Sequence, residues 1–213
     1  MTTSRDRILN KLRSAPQPFT DVPPRESYRH LVPNVSAEGL TARFFSEAAN
    51  LGCKVTQHDS AESAIKSILD IIVGEGFADL LSWSLDKIPL AGLAEALAAA
   101  KIHIITADVG KETAAQARVG LTGVSAALAS TGSLILSSGA GQSRSASLLP
   151  PVHIAVVVQN QIVADFESWI TAHPDFRRAS NHVVISGASR TADIAMETVM
   201  GVHGPGEVHV VIV

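Results

Sequence analysis

Two arginines and one histidine in this 213-residue chain stand in sequence contexts that could do chemistry. Arg190 lies in Gly187-Ala188-Ser189-Arg190-Thr191-Ala192-Asp193. The apolar run before this stretch predicts a strand. The residues after it predict a helix with Ile194, Ala195, Thr198, Val199 and Val202 along one stripe. Ser189 then caps a helix whose first amide donors lack partners, and such a terminus attracts anions. The forked, permanently charged guanidinium of Arg190 adds to that attraction, so phosphate or carboxylate recognition is expected in the loop outside the carboxyl end of the strand. The structural alternative is that Ser189 only caps and Arg190 pairs with Asp193 or Glu197 at helical spacing.

Arg144 is the only formally charged side chain from Val119 through Ala164. A lone cation in such a stretch either binds an anion or must find a carboxylate from another element. The Gly139-Ala140-Gly141-Gln142-Ser143 run before it partly matches a dinucleotide fingerprint, but the third glycine is missing and no clear helix follows. His203 sits in Gly201-Val202-His203-Gly204-Pro205-Gly206, where glycines end the preceding element and allow a ligand close to the backbone. His153 opens an apolar strand after Pro150-Pro151 and reads more readily as a hydrogen-bonded core histidine. The eight histidines show no H-x-x-x-H or H-E-x-x-H spacing, so no metal site is expected. No phosphate loop, nucleophile elbow or catalytic carboxylate pair can be argued from the spacing. Cys53 reads as buried filler.

These residues need elements to hold them, and the chain supplies an α/β rhythm. A helix capped at Ser36 carries Leu40, Phe44, Phe45 and Ala48 and stops at Gly52. Strand-like CKVTQ follows, then a helix with Ile65, Ile68, Leu69 and Ile72. Strand-like ADLLSW, an Ala/Leu-rich helix from Pro89 to Ala100, the strand KIHIIT and a short helix from Glu112 to Arg118 come next. The uncharged region is read as strands VSAALA, GSLILS and HIAVVV, broken by the Gly/Ser loop SSGAGQSRSAS. The last residues predict a strand–helix–strand unit ending in the apolar VHVVIV. Strands this apolar belong to a mostly parallel open sheet covered by helices on both faces.

Residues 1–35 stand apart from a single α/β domain over 36–213. Thr3 or Ser4 caps a first helix with Ile8, Leu9 and Leu12 on one face, and five of the ten prolines fall between Pro16 and Pro33. That stretch reads as an extended arm, laid over its own domain or wrapped around a subunit neighbour, and so admits a homo-oligomer. The first residues lack the apolar core of about 7–15 residues that a secretory signal requires, which points to a cytoplasmic protein. No apolar run approaches the roughly 20 residues that span a bilayer. A net charge of −3 argues against a nucleic-acid partner. One cysteine cannot ligate an iron–sulfur cluster or close an intrachain disulfide, so no intrinsic cluster is expected and any redox chemistry falls to another chain or a bound cofactor.

Three blocks in the carboxy-terminal half, STGSLILSS, SRSASLLPPVHIAVV and ISGASRTADIAMETVMGVHGP, resemble the LUD domain of the lactate-utilization protein C family in content and order. The resemblance covers about residues 120–213. It implies a fold similar to ribose-phosphate isomerases, CoA-transferases and formyltetrahydrofolate cyclo-ligases. It also implies work beside iron–sulfur partner proteins that oxidise L-lactate to pyruvate, with the clusters in those partners. Two positions depart from the family pattern: Ser130 and Ala195 stand where an acidic residue is frequent.

The expectation drawn from all this is one pocket for a small anionic metabolite, lined by Thr131, Gly132, Arg144, Ser147, Gly187, Ser189, Arg190, Thr191, Asp193 and His203. Two rival roles stay open: an independent transferase or isomerase of a CoA thioester or phosphorylated metabolite, and a non-catalytic scaffold.

Overall fold

The computed structural model describes residues 3–15, 35–74, 76, 79–106, 111–192 and 198–213, with backbone only at 111, 191–192 and 198–200. The expected proline-rich arm lies outside the described residues. In chain order the elements are α1 (Ser4–Ser14), α2 (Ala37–Asn50), β1 (Lys54–Gln57), α3 (Ala61–Gly74), β2 (Asp79–Ser82), α4 (Leu93–Ala99), β3 (His103–Ile105), α5 (Lys111–Ala114), β4 (Val119–Thr122), β5 (Ala126–Leu128) and β6 (Ser133–Ser137). Then come α6 (Ser145–Leu148), β7 (Val152–Val157), β8 (Ile162–Val163), α7 (Phe166–Ala172), β9 (His182–Ile185), β10 (Arg190–Ala192), β11 (Thr198–Met200) and β12 (Glu207–Ile212).

The parallel open sheet is there, with six strands in the order β1-β12-β7-β4-β2-β3, every neighbouring pair parallel. All residues of β4 and β7 are buried, and β12 is buried from Val208 onward, as an interior parallel strand requires. Periodicity explains the helices that cover it. Ser36 Oγ accepts from the Gly39 amide at 3.2 Å, and α2 then buries Thr41, Phe44 and Ala48; α3 buries Ala64, Ile68 and Ile72 at four-residue spacing. The helix expected from Pro89 begins at Leu93, after Gly92 at φ +84°. α1 forms with the expected cap, Thr3 Oγ1 accepting from the Asp6 amide. Ile8 and Leu12 nevertheless stay 61% and 67% exposed, and the helix buries nothing among the described residues.

The uncharged stretch around Arg144 has a plain cause: β4, β5, β6 and β7 all run through the interior, where an unpaired charge costs several kcal/mol. β5 and β6 form an antiparallel hairpin, and with β8 and β9 they build a second sheet in the order β8-β5-β6-β9. A smaller core of Ala126, Leu128, Ile135 and Trp169 packs this sheet against α7.

Two expectations fail here. The segment after Ser189 is not a helix: Arg190–Ala192 pairs antiparallel with Thr198–Met200, residues 193–197 lying outside the described residues. A short apolar run satisfies either period, and the β-branched Thr191, Thr198 and Val199 favour the extended one. The strand–helix–strand unit goes with it, because β9 pairs antiparallel with β6 in the second sheet while β12 enters the first. The strand over Val119–Thr122 was hidden in sequence by its glycine. Gly120 is there because the Ala146 carbonyl of α6 occupies the space of a Cβ, with Pro150 Cγ at 3.1 Å from it.

Gly120→Ala should therefore cost about 1–3 kcal/mol, read as a lower urea midpoint at unchanged m value. An unchanged midpoint would show that α6 does not bear on β4. A second prediction concerns His153, which is fully buried, shares a 2.9 Å hydrogen bond between Nε2 and Thr122 Oγ1, and has no partner for Nδ1 among the described residues. Burial, with His209 nearby, drives its pKa from 6.5 down to about 3. The unfolded chain takes up this proton below pH 6.5 and the folded chain does not, so stability falls as pH drops from about 6.5 towards 3, by up to roughly 1.4 kcal/mol per pH unit for this one group. Urea unfolding at pH 7, 6 and 5 should show this slope, and it should be reduced in His153→Gln; equal slopes would refute the assignment.

Candidate functional site

The chain runs from β2 to β3 on one side and then returns to β4 on the other side of β2. Where successive connections diverge in this way, a crevice opens beyond the carboxyl ends of the strands. Ser82 ends β2, Ser84 follows it and Thr106 follows β3, and all three face a cavity of about 590 Å³. Among the described residues the rest of its wall is the Gly/Ser loop, residues 138–144, together with Ser180 and Asn181 just before β9.

Short hydrogen bonds fold the loop over the crevice. Gly139 and Gln142 exchange backbone bonds of 3.3 and 3.0 Å across a tight turn. The Ser84 amide donates to the Gly141 carbonyl at 2.8 Å, Trp83 Nε1 to the Ser143 carbonyl at 3.0 Å, and the Ser138 amide to the Asn181 carbonyl at 2.8 Å. Gly141 has φ +72°, and a Cβ there would lie 2.5 Å from Ser84 Oγ. The glycines thus make a turn against β2, not a dinucleotide cradle. Arg144 follows, exposed, and is the only charged residue lining the cavity among the described residues. No carboxylate lines it, and no ion-pair partner of Arg144 is found among the described residues. Ser147 is buried behind it, its amide and Oγ donating to the Arg144 carbonyl at 3.2 and 3.0 Å.

The other expected site residues gather elsewhere. In the β6–β9 pair, Ser137 lies opposite His182 and Leu134 opposite Ile185, so the crevice adjoins one end of β6 while Thr131 and Gly132 precede the other, roughly 14 Å along the strand. At that far end Thr131 Oγ1 donates to Ser133 Oγ at 2.9 Å, which meets Ser186 Oγ at 2.8 Å. Gly132, at φ +65°, lets the turn press on the α2 backbone, where a Cβ would lie 2.7 Å from Ala48 Cα. Gly187, at φ +89°, does the same against the Leu51 carbonyl. The guanidinium of Arg190 occupies the space a Cβ on Gly52 would need, at the carboxyl end of α2, where the helix dipole is negative.

Arg190 also acts on the Cys53 thiol, but burial dominates and raises its pKa to about 11, so the sulfur stays protonated. With no helix at Ser189, its amide is satisfied by the Pro205 carbonyl at 2.8 Å, and its own carbonyl accepts from Gly201 at 2.9 Å. The capped helix terminus expected there is replaced by these loop contacts. His203 is exposed in the same loop. Thr191 contributes its backbone to β10, and Asp193 lies outside the described residues. One expected pocket is thus two places, one around Arg144 and one around Arg190.

The sequence reading missed Ser82, Ser84, Thr106, Ser138, Ser180 and Asn181 as site residues. A signal was present: the apolar runs DLLSWS, HIIT and LILSS each pass into hydroxyl residues at the carboxyl end of a strand. A Ser–His pair adjoins the crevice, with Ser137 Oγ 2.9 Å from His182 Nδ1 and His182 Nε2 donating to the Phe176 carbonyl at 2.7 Å. Its ring packs edge-on against Trp169 at 5.3 Å, which places it in the smaller core. Among the described residues no three metal-binding side chains converge, and no helix is long and apolar enough to cross a membrane.

The chain has similarity to known proteins over most of its length. Lactate utilization protein C of Halalkalibacterium halodurans is 32% identical over 161 residues, 71% of this chain and 68% of that protein. Lactate utilization protein C of a Geobacillus species is 26% identical over 200 residues, covering 85% and 83% of the two chains. In Bacillus subtilis, the protein of that name is 40% identical over 111 residues, 46% of this chain and 45% of that one. Among solved structures, a DUF162 family protein from Deinococcus radiodurans superposes with a TM-score of 0.62 over 84% of this chain and 99% of that one; at 22% identity it speaks for the fold. The LUD domain model matches residues 41–213, which takes in every element from α2 onward except its first few residues, and on this match the chain belongs to the LUD domain family.

Proposed function

We propose that this protein serves lactate utilization in the cytoplasm, as a subunit beside iron–sulfur partner proteins that oxidise L-lactate to pyruvate. Its own part is to hold a small anionic metabolite in the crevice beside Arg144. The observation that carries this reading is the alignment, over two thirds or more of both chains, with proteins named lactate utilization protein C. The chemistry of the chain agrees with a binding role. Arg144 offers two parallel donors to a carboxylate or phosphate, the hydroxyls around it can complete the shell, and among the described residues no wall carboxylate opposes an anion. Oxidation of lactate releases two electrons, which need an acceptor. A single buried Cys53, protonated at neutral pH, supplies no cluster ligands, so the acceptor clusters are assigned to the partners.

Deleting the gene should impair growth on L-lactate as sole carbon source and leave growth on glucose unchanged. Restoring the intact gene should repair the defect, and Arg144→Ala should repair it poorly while the protein still accumulates. Because Arg144 is exposed and has no ion-pair partner among the described residues, the variant's melting temperature should stay within a degree or two of the parent. Normal growth of the deletion strain, with no second copy of the gene, would remove the reading.

A further inference from the structure

We propose that the crevice ligand is a polyhydroxylated anion larger than lactate, a body bearing several hydroxyls with one anionic group held by Arg144. This rests on the reading that the crevice binds an anion and goes beyond it by naming the class. Size is the first argument. Lactate has six non-hydrogen atoms and occupies roughly 100 Å³, about three times the share of one water in the liquid. A crevice of about 590 Å³ would leave most of its wall against solvent with such a guest. Cavities of several hundred Å³ are the size that encloses a molecule of a dozen or more atoms.

The wall decides what kind of molecule. Ser84, Thr106 and Ser138 present hydroxyls, and Gln142 and Asn181 present carboxamides; within the described chain none of these five side chains has a hydrogen-bond partner. Every one of them can both donate and accept, which is the pattern that matches a row of ligand hydroxyls. Among the described lining residues there is no aromatic and no large aliphatic side chain, so an acyl chain or a nucleobase would find none of them to pack on and would leave these polar groups unpaired. Among the described lining residues Arg144 is the single cation and none is acidic, which matches a ligand with one anionic group. The loop is held in advance by its bonds from Trp83 and Ser84, so little ordering is left for binding to impose.

Titration calorimetry on the full chain tests this with D-gluconate and D-glucuronate as carboxylates, D-glucose 6-phosphate and D-sorbitol 6-phosphate as phosphates, and L-lactate, inorganic phosphate and neutral D-sorbitol as controls. At least one polyhydroxylated anion should bind ten-fold or more tightly than all three controls, and the better of the two arms names the anionic group. Arg144→Ala should weaken that binding at least ten-fold and Arg144→Lys less. Asn181→Ala should weaken the polyhydroxylated anion and leave any L-lactate binding unchanged, with melting curves confirming that each variant is folded. If L-lactate or phosphate binds as tightly as the larger anions and depends on Arg144, the anion reading stands and this inference falls. Sorbitol binding as tightly as its phosphate would also overturn it. Binding of none of the seven would overturn both readings of the crevice, while the growth defect would report separately on lactate utilization.

Discussion

Backbone hydrogen bonding at the centre of the parallel sheet is the constraint on which the rest of the molecule depends. β12, the last strand of the chain, lies between β1 and β7 and pairs parallel with both, over four and six residues. Its side chains are buried from Val208 to Ile212, so each of its amides and carbonyls must find a partner in the two flanking strands. The sheet is therefore incomplete until β12 pairs, and contacts between residues more than a hundred and fifty positions apart in sequence hold it together, as in the pairing of Lys54 with His209. Close to where β12 enters, Glu207 joins Lys54 of β1 to His209, tying the two strands by side chains as well.

From that central pairing the crevice follows by topology. Once β12 and β7 occupy the middle, β4 must lie against β7, and β2 and β3 are left to extend the sheet outward. The connection that leaves β2 for the edge and returns to β4 opens a gap at the carboxyl ends of these strands. The Gly/Ser loop after β6 closes that gap from the second sheet, held to β2 through Trp83 and Ser84. Arg144 stands where this loop reaches the surface, which explains how one cation survives in a segment that is otherwise interior.

Glycine does two kinds of work here, and the structure separates them. Gly120, Gly132 and Gly187 are places where one element touches the backbone of another, so their lack of a Cβ is a packing requirement. Gly141 serves the loop over the crevice through its positive φ and its contact with Ser84. In sequence these glycines look alike, and a ligand-binding role for Gly132 and Gly187 was a fair expectation from their neighbours. The contacts with α2 and Leu51 give them a packing role.

Much of the fold was written in local pattern. Helices α2 and α3 follow from caps and apolar spacing, and the runs at 152–157 and 208–212 announce buried strands, because a strand covered on both faces must be apolar almost throughout. Arg144 stood out for the same reason: charge is excluded from buried strands, so the exception was visible without coordinates. Three things needed the tertiary structure. The segment around Thr191 and Val199 could satisfy a helical or an extended period, and pairing between its two halves decided it. Whether Arg144 and Arg190 share a pocket depended on which strands β6 and β9 join, and their antiparallel pairing sends the two arginines to opposite ends. The crevice wall, from Ser84 to Asn181, is assembled from residues far apart in the chain, and separation of that kind leaves no periodic trace in a sequence, because it is fixed by strand order and not by any local preference.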